Sequence, residues 1–548
     1  MRLFIASLFT LILLSGFLIA ILLSLLYFTG LIDIYLLFGL TILINFVLWL
    51  VCPTISDWIY RFFYKLRWVT IDELRKTSPA SADFLVKTCR KYNFNVPKLG
   101  IIPDKNPNAF TYGSGRWNGR TVVTEGIFKY LDENERVSVY AHELGHIKNR
   151  DFMIMTIAST LLQLLYEVYV VSRRVAVSSK GGGKKKGGGL PFLVIMVAAY
   201  IFDWIGQYVV LYLSRVREYY ADEFSAKETN PNYLSSALIK ISYGILVNPD
   251  DVRLVKSTKY IGLTDFKLSE NIGLVYYNCQ KLKNFEPLNR VLLYDIKNPW
   301  AFVTELKSTH PLTGKRLRRL SQFSTKPLFN FDTIEQRNPI DKGRMYSIFF
   351  KDVGILILPT LLAIGFPVLY LLSVYLGYLA LSFQFFIGVW FAIIGIGVIL
   401  ATLYRYPEKT PENSTVIDLM SDLYASPVRG RAVKLNGKLI GRGVPGLIFS
   451  EDMVIQDRTG LMFLNYESWL PLIGNLIFGL RKVPKLVNKD AKISGWFLRG
   501  VSPLVGLKML ETTEEKIRGF VKLGGLIGGL LLIIIGSIFF FVIGFASI

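Results

Sequence analysis

Residues 140–151 read YAHELGHIKNRD, and residues 152–165 continue without a linker as FMIMTIASTLLQLL. The segment leading in, LDENERVSVYAHELGHIK, opens with Asp132 and Glu135 at the spacing of a capping box. Val137, Tyr140, Ala141, Leu144 and Ile147 then recur at helical intervals, so the stretch is predicted to be a helix. His142 and His146, four residues apart, share one face of it. Two imidazoles on one face can present nitrogens to a single zinc ion, and Glu143 between them can take a proton from a water held by the metal. The chain has only three histidines in 548 residues, which makes a chance HExxH rare.

The apolar run after this motif is one of several. Hydrophobic residues make up 52% of the chain, and they concentrate at 3–28, 34–51, 152–171, 190–213, 353–376, 380–403 and 523–546. Each run approaches or exceeds the roughly 20 apolar residues that cross a bilayer. The first lacks a small-residue cleavage site and reads as a retained anchor. Glu167 and Asp203 lie inside the third and fourth runs, where ionisable groups face protein or a water cavity. A buried or interfacial helix is the alternative for 152–171.

Seven crossings place the soluble stretches 53–151, 214–350 and 404–522 on one side. Lys and Arg near the span ends make that side cytoplasmic and the chain a multi-pass protein of the cell membrane. The same bias accounts for the net charge of +22; no aromatic-basic recognition motif accompanies it, so nucleic acid is not an expected partner. Residues 172–189, SRRVAVSSKGGGKKKGGG, run against the bias with six cations and read as a flexible linker. Cys52, Cys89 and Cys279 form no CxxC pair and fit a reducing compartment.

Residues 85–151 read as a compact α/β unit, with a hairpin expected over 109–124 at the Asn118-Gly119 turn. Residues 428–511 hold short β-like runs broken by glycine, which suggests a small all-β barrel of the oligonucleotide-fold type, similar more loosely to the β-rich domain of the GIDE membrane ubiquitin ligases.

A catalytic zinc takes three protein ligands and keeps a fourth position open. In SRVREYYADEFSA (214–226), Glu218 and Asp222 fall on one face of a predicted helix. Glu218 is the expected third ligand, and Asp222 the outer hydrogen-bond partner of a ligand imidazole, His142. The remaining histidine, His310 in STHPLTGKRLRRL (308–320), is expected to stabilise the oxyanion with help from Arg316.

Taken together, HELGHIKNRD, SRVREYYAD and STHP with Arg316 resemble the HtpX-like membrane zinc metalloproteases, relatives of the CaaX prenyl proteases. PNAFTYG (107–113) is similar to the family's NAF-type segment, which implies an edge strand that aligns substrate backbone beside the metal, with Asn108 and Ala109 as contact points. The motif follows the second span, as in the HtpX branch. The glycine-lysine insertion, three extra spans and the β-rich domain depart from a minimal member. The resemblance implies a hydrolase with one Zn2+ per chain, acting on proteins or peptides in or near the bilayer at its cytoplasmic face, in membrane protein quality control. A processing protease for defined or prenylated C-termini is one alternative; an inactive scaffold or a transporter is another.

The expected fold class is a multi-span α-helical membrane protein with an α+β zincin-like metalloprotease domain and a small OB-like barrel. Two spans occupy 1–52, and the protease domain 53–350 includes a membrane hairpin at 152–213. Two more spans occupy 351–404. The β-rich region 405–522 and a last span at 523–548 complete the layout.

Overall fold

The computed structural model describes residue 17 and residues 33–178, 189–247, 266–377, 383–442, 450–500 and 502–543. The span expected at 3–28, apart from Phe17, and the glycine-lysine run at 179–188 lie outside the described residues. The chain divides into two compact units, one of Met1–Gly273 with Val303–Phe331, the other of Leu274–Phe302 with Asp332–Ile548. Six described helices are long and apolar enough to cross a membrane: Phe38–Tyr64, Asp151–Ala176, Pro191–Glu228, Lys342–Tyr375, Phe385–Arg405 and Leu523–Phe541.

In the first unit, α1 (Asp33–Tyr64) precedes β1 (Arg67–Val69), α2 (Pro79–Lys91), β2 (Lys98–Ile102), β3 (Ala109–Tyr112) and β4 (Arg120–Thr124). Next come α3 (Glu133–Lys148), α4 (Asp151–Ser178), α5 (Gly189–Glu228), α6 (Pro231–Val247) and, later in the chain, α7 (Thr313–Ser321). The four strands form a sheet in the order β1-β2-β4-β3, with β2 and β4 parallel and the other pairs antiparallel. Strand β3 is therefore at an edge.

Helix α1 runs thirteen residues past the apolar stretch that ends at 51. Its extension is held because Tyr60 packs at a tilt against Phe110 and Tyr112, with ring centroids 5.1 and 5.5 Å away. Asp57 adds polar contacts, accepting from Tyr112 Oη at 2.9 Å and Arg120 Nε at 3.1 Å. The hairpin joins β3 to β4 as expected, but through seven residues instead of a two-residue turn. Asn118 Oδ1 accepts from the backbone N–H of Ser114 and Gly115, which closes the longer loop.

Asp132 and Glu135 form the expected capping box at the start of α3, each side chain accepting from the other's backbone N–H. At the other end Arg150 adopts φ 59°, a left-handed conformation that breaks the helix and starts α4 at once. Helix α4 persists through Ser178, so 172–178 are helical and not linker. Helix α5 shows no break between its membrane segment and the residues from 214 onward; one 40-residue helix spans and then carries Glu218 and Asp222.

Leu164, Leu165 and Val168 of α4 pack with Ile195, Ala199 and Leu213 of α5 and with Phe38 of α1. Both ionisable residues within these spans have local partners. Glu167 accepts from Thr41 Oγ1 at 2.7 Å, and Asp203 from Gln207 Nε2 at 2.9 Å.

The second unit contains α8 (Lys342–Tyr375), α9 (Phe383–Arg405), β5 (Arg431–Arg442), β6 (Met453–Gln456) and β7 (Leu461–Asn465). It continues with α10 (Pro471–Ile477), β8 (Asp490–Leu498), β9 (Leu504–Glu511) and α11 (Leu523–Ile538). Helices α9 and α11 pack closely: a Cβ on Gly395 would lie 2.5 Å from the Gly529 carbonyl oxygen. Small residues let backbones approach in this way within a membrane.

Strands β5 to β9 close into a five-stranded barrel in the order β5-β6-β7-β9-β8-β5. Only the β7/β9 pair is parallel. The first strand pairs with β8 through its first half and with β6 through its second, and a bulge between Leu439 and Gly441 turns it from one to the other. A first strand shared by both halves of a five-stranded barrel gives the OB-like architecture expected for 428–511.

Candidate metal centre

Two helices bring the site together. Helix α3 carries His142, Glu143 and His146, and α5 carries Glu218 and Asp222. They approach closely because residue 145 has no side chain: a Cβ there would lie 2.9 Å from Ala221 Cα. The ligand atoms of His142, His146 and Glu218 all fall within 4.8 Å of one another. The two Nε2 atoms are 3.1 Å apart, and each lies 3.5 Å from a Glu218 oxygen. All three residues are buried.

A carboxylate backs each imidazole. His142 Nδ1 lies 3.0 Å from Asp222 Oδ1, and His146 Nδ1 lies 2.7 Å from Asp151 Oδ2. A carboxylate at Nδ1 favours a proton on that nitrogen and leaves the Nε2 lone pair as a ligand. Nitrogens facing each other at 3.1 Å accommodate either a shared proton or a metal cation. The buried Glu218 Oε2 also has no hydrogen-bond partner among the described residues. Burial alone would lower the basicity of His142, yet Asp222 and Glu218 outweigh it and raise its pKa to about 9. The field here favours positive charge. Two nitrogens and a carboxylate at one buried point fit a divalent cation with an open fourth position.

Glu143 is buried, and burial pushes its carboxyl above the usual range against the opposing pull of the two histidines. Thr111 Oγ1 donates to its Oε2 at 2.6 Å. Thr111 is in place because β3 alternates, with Phe110 and Tyr112 on one face of the sheet and Thr111 on the face toward α3. Asn108, just before this strand, is tied to β4: its N–H donates to Thr124 Oγ1 at 2.8 Å and its carbonyl accepts from the Thr124 N–H at 3.0 Å. Ala109 begins the strand, and among the described residues no strand pairs with the far edge of β3.

His310 Nε2 lies 3.7 Å from Glu218 Oε1, and its Nδ1 is 2.9 Å from Thr309 Oγ1. The buried Arg215 fixes this loop by donating to the carbonyls of Glu305 at 2.9 Å and Ser308 at 2.8 Å. Arg316 lies beside the cluster, engaged with Asp222. Its guanidinium grips Asp222 with two hydrogen bonds, Nε to Oδ2 at 2.8 Å and Nη2 to Oδ1 at 2.6 Å, and comes within 3.8 Å of Glu218. Both groups are buried, so the bidentate pairing satisfies two charges that have no access to water.

Asp151 and Thr111 are the residues that sequence reasoning missed. Asp151 stands in the quoted stretch, five residues after His146, but only the left-handed turn at Arg150 folds it back onto the ring. Thr111 sits in PNAFTYG, where strand alternation alone does not reveal its distance from Glu143.

Replacing Asp222 or Asp151 by Asn is expected to weaken metal retention about 10- to 100-fold while leaving all three ligands present. Metal release against graded chelator measures it, and unchanged release would show that these contacts do not tune the site.

The description Peptidase family M48 matches residues 83–324. The chain is 30% identical over 239 residues to the Protease HtpX homolog of Methanocaldococcus jannaschii, covering 43% of this chain and 71% of that one. It is 30% identical to the Aquifex aeolicus homolog over 50% of this chain and 79% of the relative. To the Desulforapulum autotrophicum homolog it is 33% identical over 48% and 77%. A structural likeness to Ste24p of S. mikatae, with TM-score 0.34 and 17% identity over 58% of this chain and 66% of that one, is too low to bear on the assignment. The matched segment holds the whole His-His-Glu cluster and two of the apolar helices, and with it this integral membrane chain belongs to peptidase family M48, among the HtpX-like metalloproteases.

Proposed function

We propose that the chain is a zinc-dependent endopeptidase that hydrolyses peptide bonds of membrane or membrane-proximal proteins at the cytoplasmic face, in membrane protein quality control. The convergence of His142, His146 and Glu218 beside the buried base Glu143 carries this reading. When bound, zinc supplies Lewis acidity toward water and the scissile carbonyl. Glu143, made more basic by burial and oriented by Thr111, accepts the proton of the attacking water and returns it to the leaving amine. His310 donates toward the oxyanion, while Arg316 acts at one remove by holding Asp222, and through it His142, in position. The free edge of β3 from Ala109 aligns an extended substrate, with Asn108 at its start.

The cations at the span ends support a cytoplasmic site. The local partners of Glu167 and Asp203 weaken the transporter alternative.

The test is proteolysis by the full chain purified in detergent, with a panel of unfolded membrane proteins that carry no lipid tag. Cleavage is expected to stop with chelator and return with zinc. Cleavage confined to prenylated C-termini would replace this reading with that of a processing protease.

A further inference from the structure

The barrel presents an apolar surface that nothing in the protease reading uses. Between β7 and β8 the chain reads SWLPLIGNLIFGLRKVPKL (468–486). One side of this helical segment faces the barrel: Phe478, Val483 and Leu486 are buried, and Phe478 stacks on Tyr466 with centroids 3.8 Å apart. The other side is apolar and open. Leu472 is 89% exposed, Ile473 67% and Trp469 65%, and Leu476, Ile477 and Leu480 extend the patch along the helix. A soluble surface rarely leaves so many large apolar side chains together.

Position identifies what covers them. The Phe520 N–H donates to the Glu467 carbonyl at 2.8 Å, two residues before Trp469 and three before α11 enters its apolar run at Leu523. Two residues reach at most about 7 Å. The patch therefore begins beside the point where the last span meets the membrane boundary. The preceding span is tied to the barrel too, since the Gly430 N–H donates to the Arg405 carbonyl at 3.1 Å. At the far end of the patch Arg481 and Lys485 are exposed and have no ion pair among the described residues. A tryptophan, an apolar helix face and flanking cations form the pattern of a helix lying in the headgroup region of an anionic bilayer.

We propose that residues 469–480 lie in the membrane interface and attach the barrel to the bilayer at a third point besides α9 and α11. The barrel would then hold a fixed orientation against the lipid surface instead of pivoting on its two spans. The proposal is independent of the peptidase reading.

Site-directed nitroxides test it. Leu472→Cys is labelled in the full chain with Cys52, Cys89 and Cys279 replaced by Ser, at one chain per nanodisc of phosphatidylcholine and phosphatidylglycerol. The label is expected to collide readily with oxygen and several-fold less with a water-soluble nickel chelate than a label at Lys492→Cys, on the exposed side of β8. Nickel access equal to that at Lys492 would overturn the proposal. Low access to both reagents would overturn it as well, because it would show protein and not lipid over the patch. In the native chain, lipids brominated on the acyl chain are expected to quench a fluorescence component that disappears in Trp469→Phe. The absence of that component would count equally against the proposal and does not depend on the cysteine-free background.

Discussion

Glu143→Gln is expected to retain zinc and lose proteolysis. The substitution keeps the shape of the side chain and can keep the hydrogen bond from Thr111, which now reaches an amide oxygen in place of a carboxylate. It removes the one group between the ligand histidines able to accept a proton. General-base catalysis contributes about 10²- to 10⁴-fold, so the rate should fall by at least that range. In barrier terms that is about 2.7 to 5.4 kcal/mol. Neither imidazole loses a partner, because His142 stays on Asp222 and His146 on Asp151. Zinc content measured beside the cleavage rate separates the two effects. Equal cleavage by the variant and the unaltered chain would refute Glu143 as the base, and loss of zinc along with activity would make its role structural.

Glu218→Gln is expected to do the reverse, emptying the site and with it abolishing activity. An amide of the same shape would replace the only carboxylate of the His-His-Glu group, leaving two imidazoles to hold a doubly charged ion in a buried place. The loss should exceed the roughly 10- to 100-fold cost of removing an outer partner such as Asp222. It should also appear away from the metal, because Arg316 stands 3.8 Å from Glu218 and shares its field. Arg316 stays bound to Asp222 by two short hydrogen bonds, so the fold itself should hold. Zinc content by mass spectrometry and far-UV circular dichroism together check both parts; full zinc occupancy in the variant would remove Glu218 from the ligand set.

Much of the site was legible because helical periodicity is local. A four-residue spacing sets His142 beside His146, and Glu218 beside Asp222, whatever the rest of the chain does. Capping by Asp132 and Glu135 was legible for the same reason, since both partners lie within one turn. The barrel at 428–511 was legible in outline, from short runs broken by glycine, but its closure order was not. The register of β5 against both β6 and β8 depends on pairings up to sixty-six residues apart, Arg431 with Phe497.

Two helix ends were misread where hydropathy was the guide. Hydropathy marks where lipid can lie, not where backbone hydrogen bonding stops. Helix α1 passes 51 because Tyr60 and Asp57 find partners on the sheet, and α5 passes 213 because nothing in it breaks the helix.

The sequence by itself determined the residue types of the candidate metal cluster, their spacing on each helix, the apolar runs and the β-rich region, all of which depend on neighbours in the chain. Only the tertiary structure decided that Asp151 backs His146, that Thr111 holds Glu143 and that Arg316 serves Asp222. Except for the turn at Arg150, these contacts join residues far apart in sequence. Their partners are selected by which buried charge must be neutralised where two helices meet, and no local pattern records that requirement.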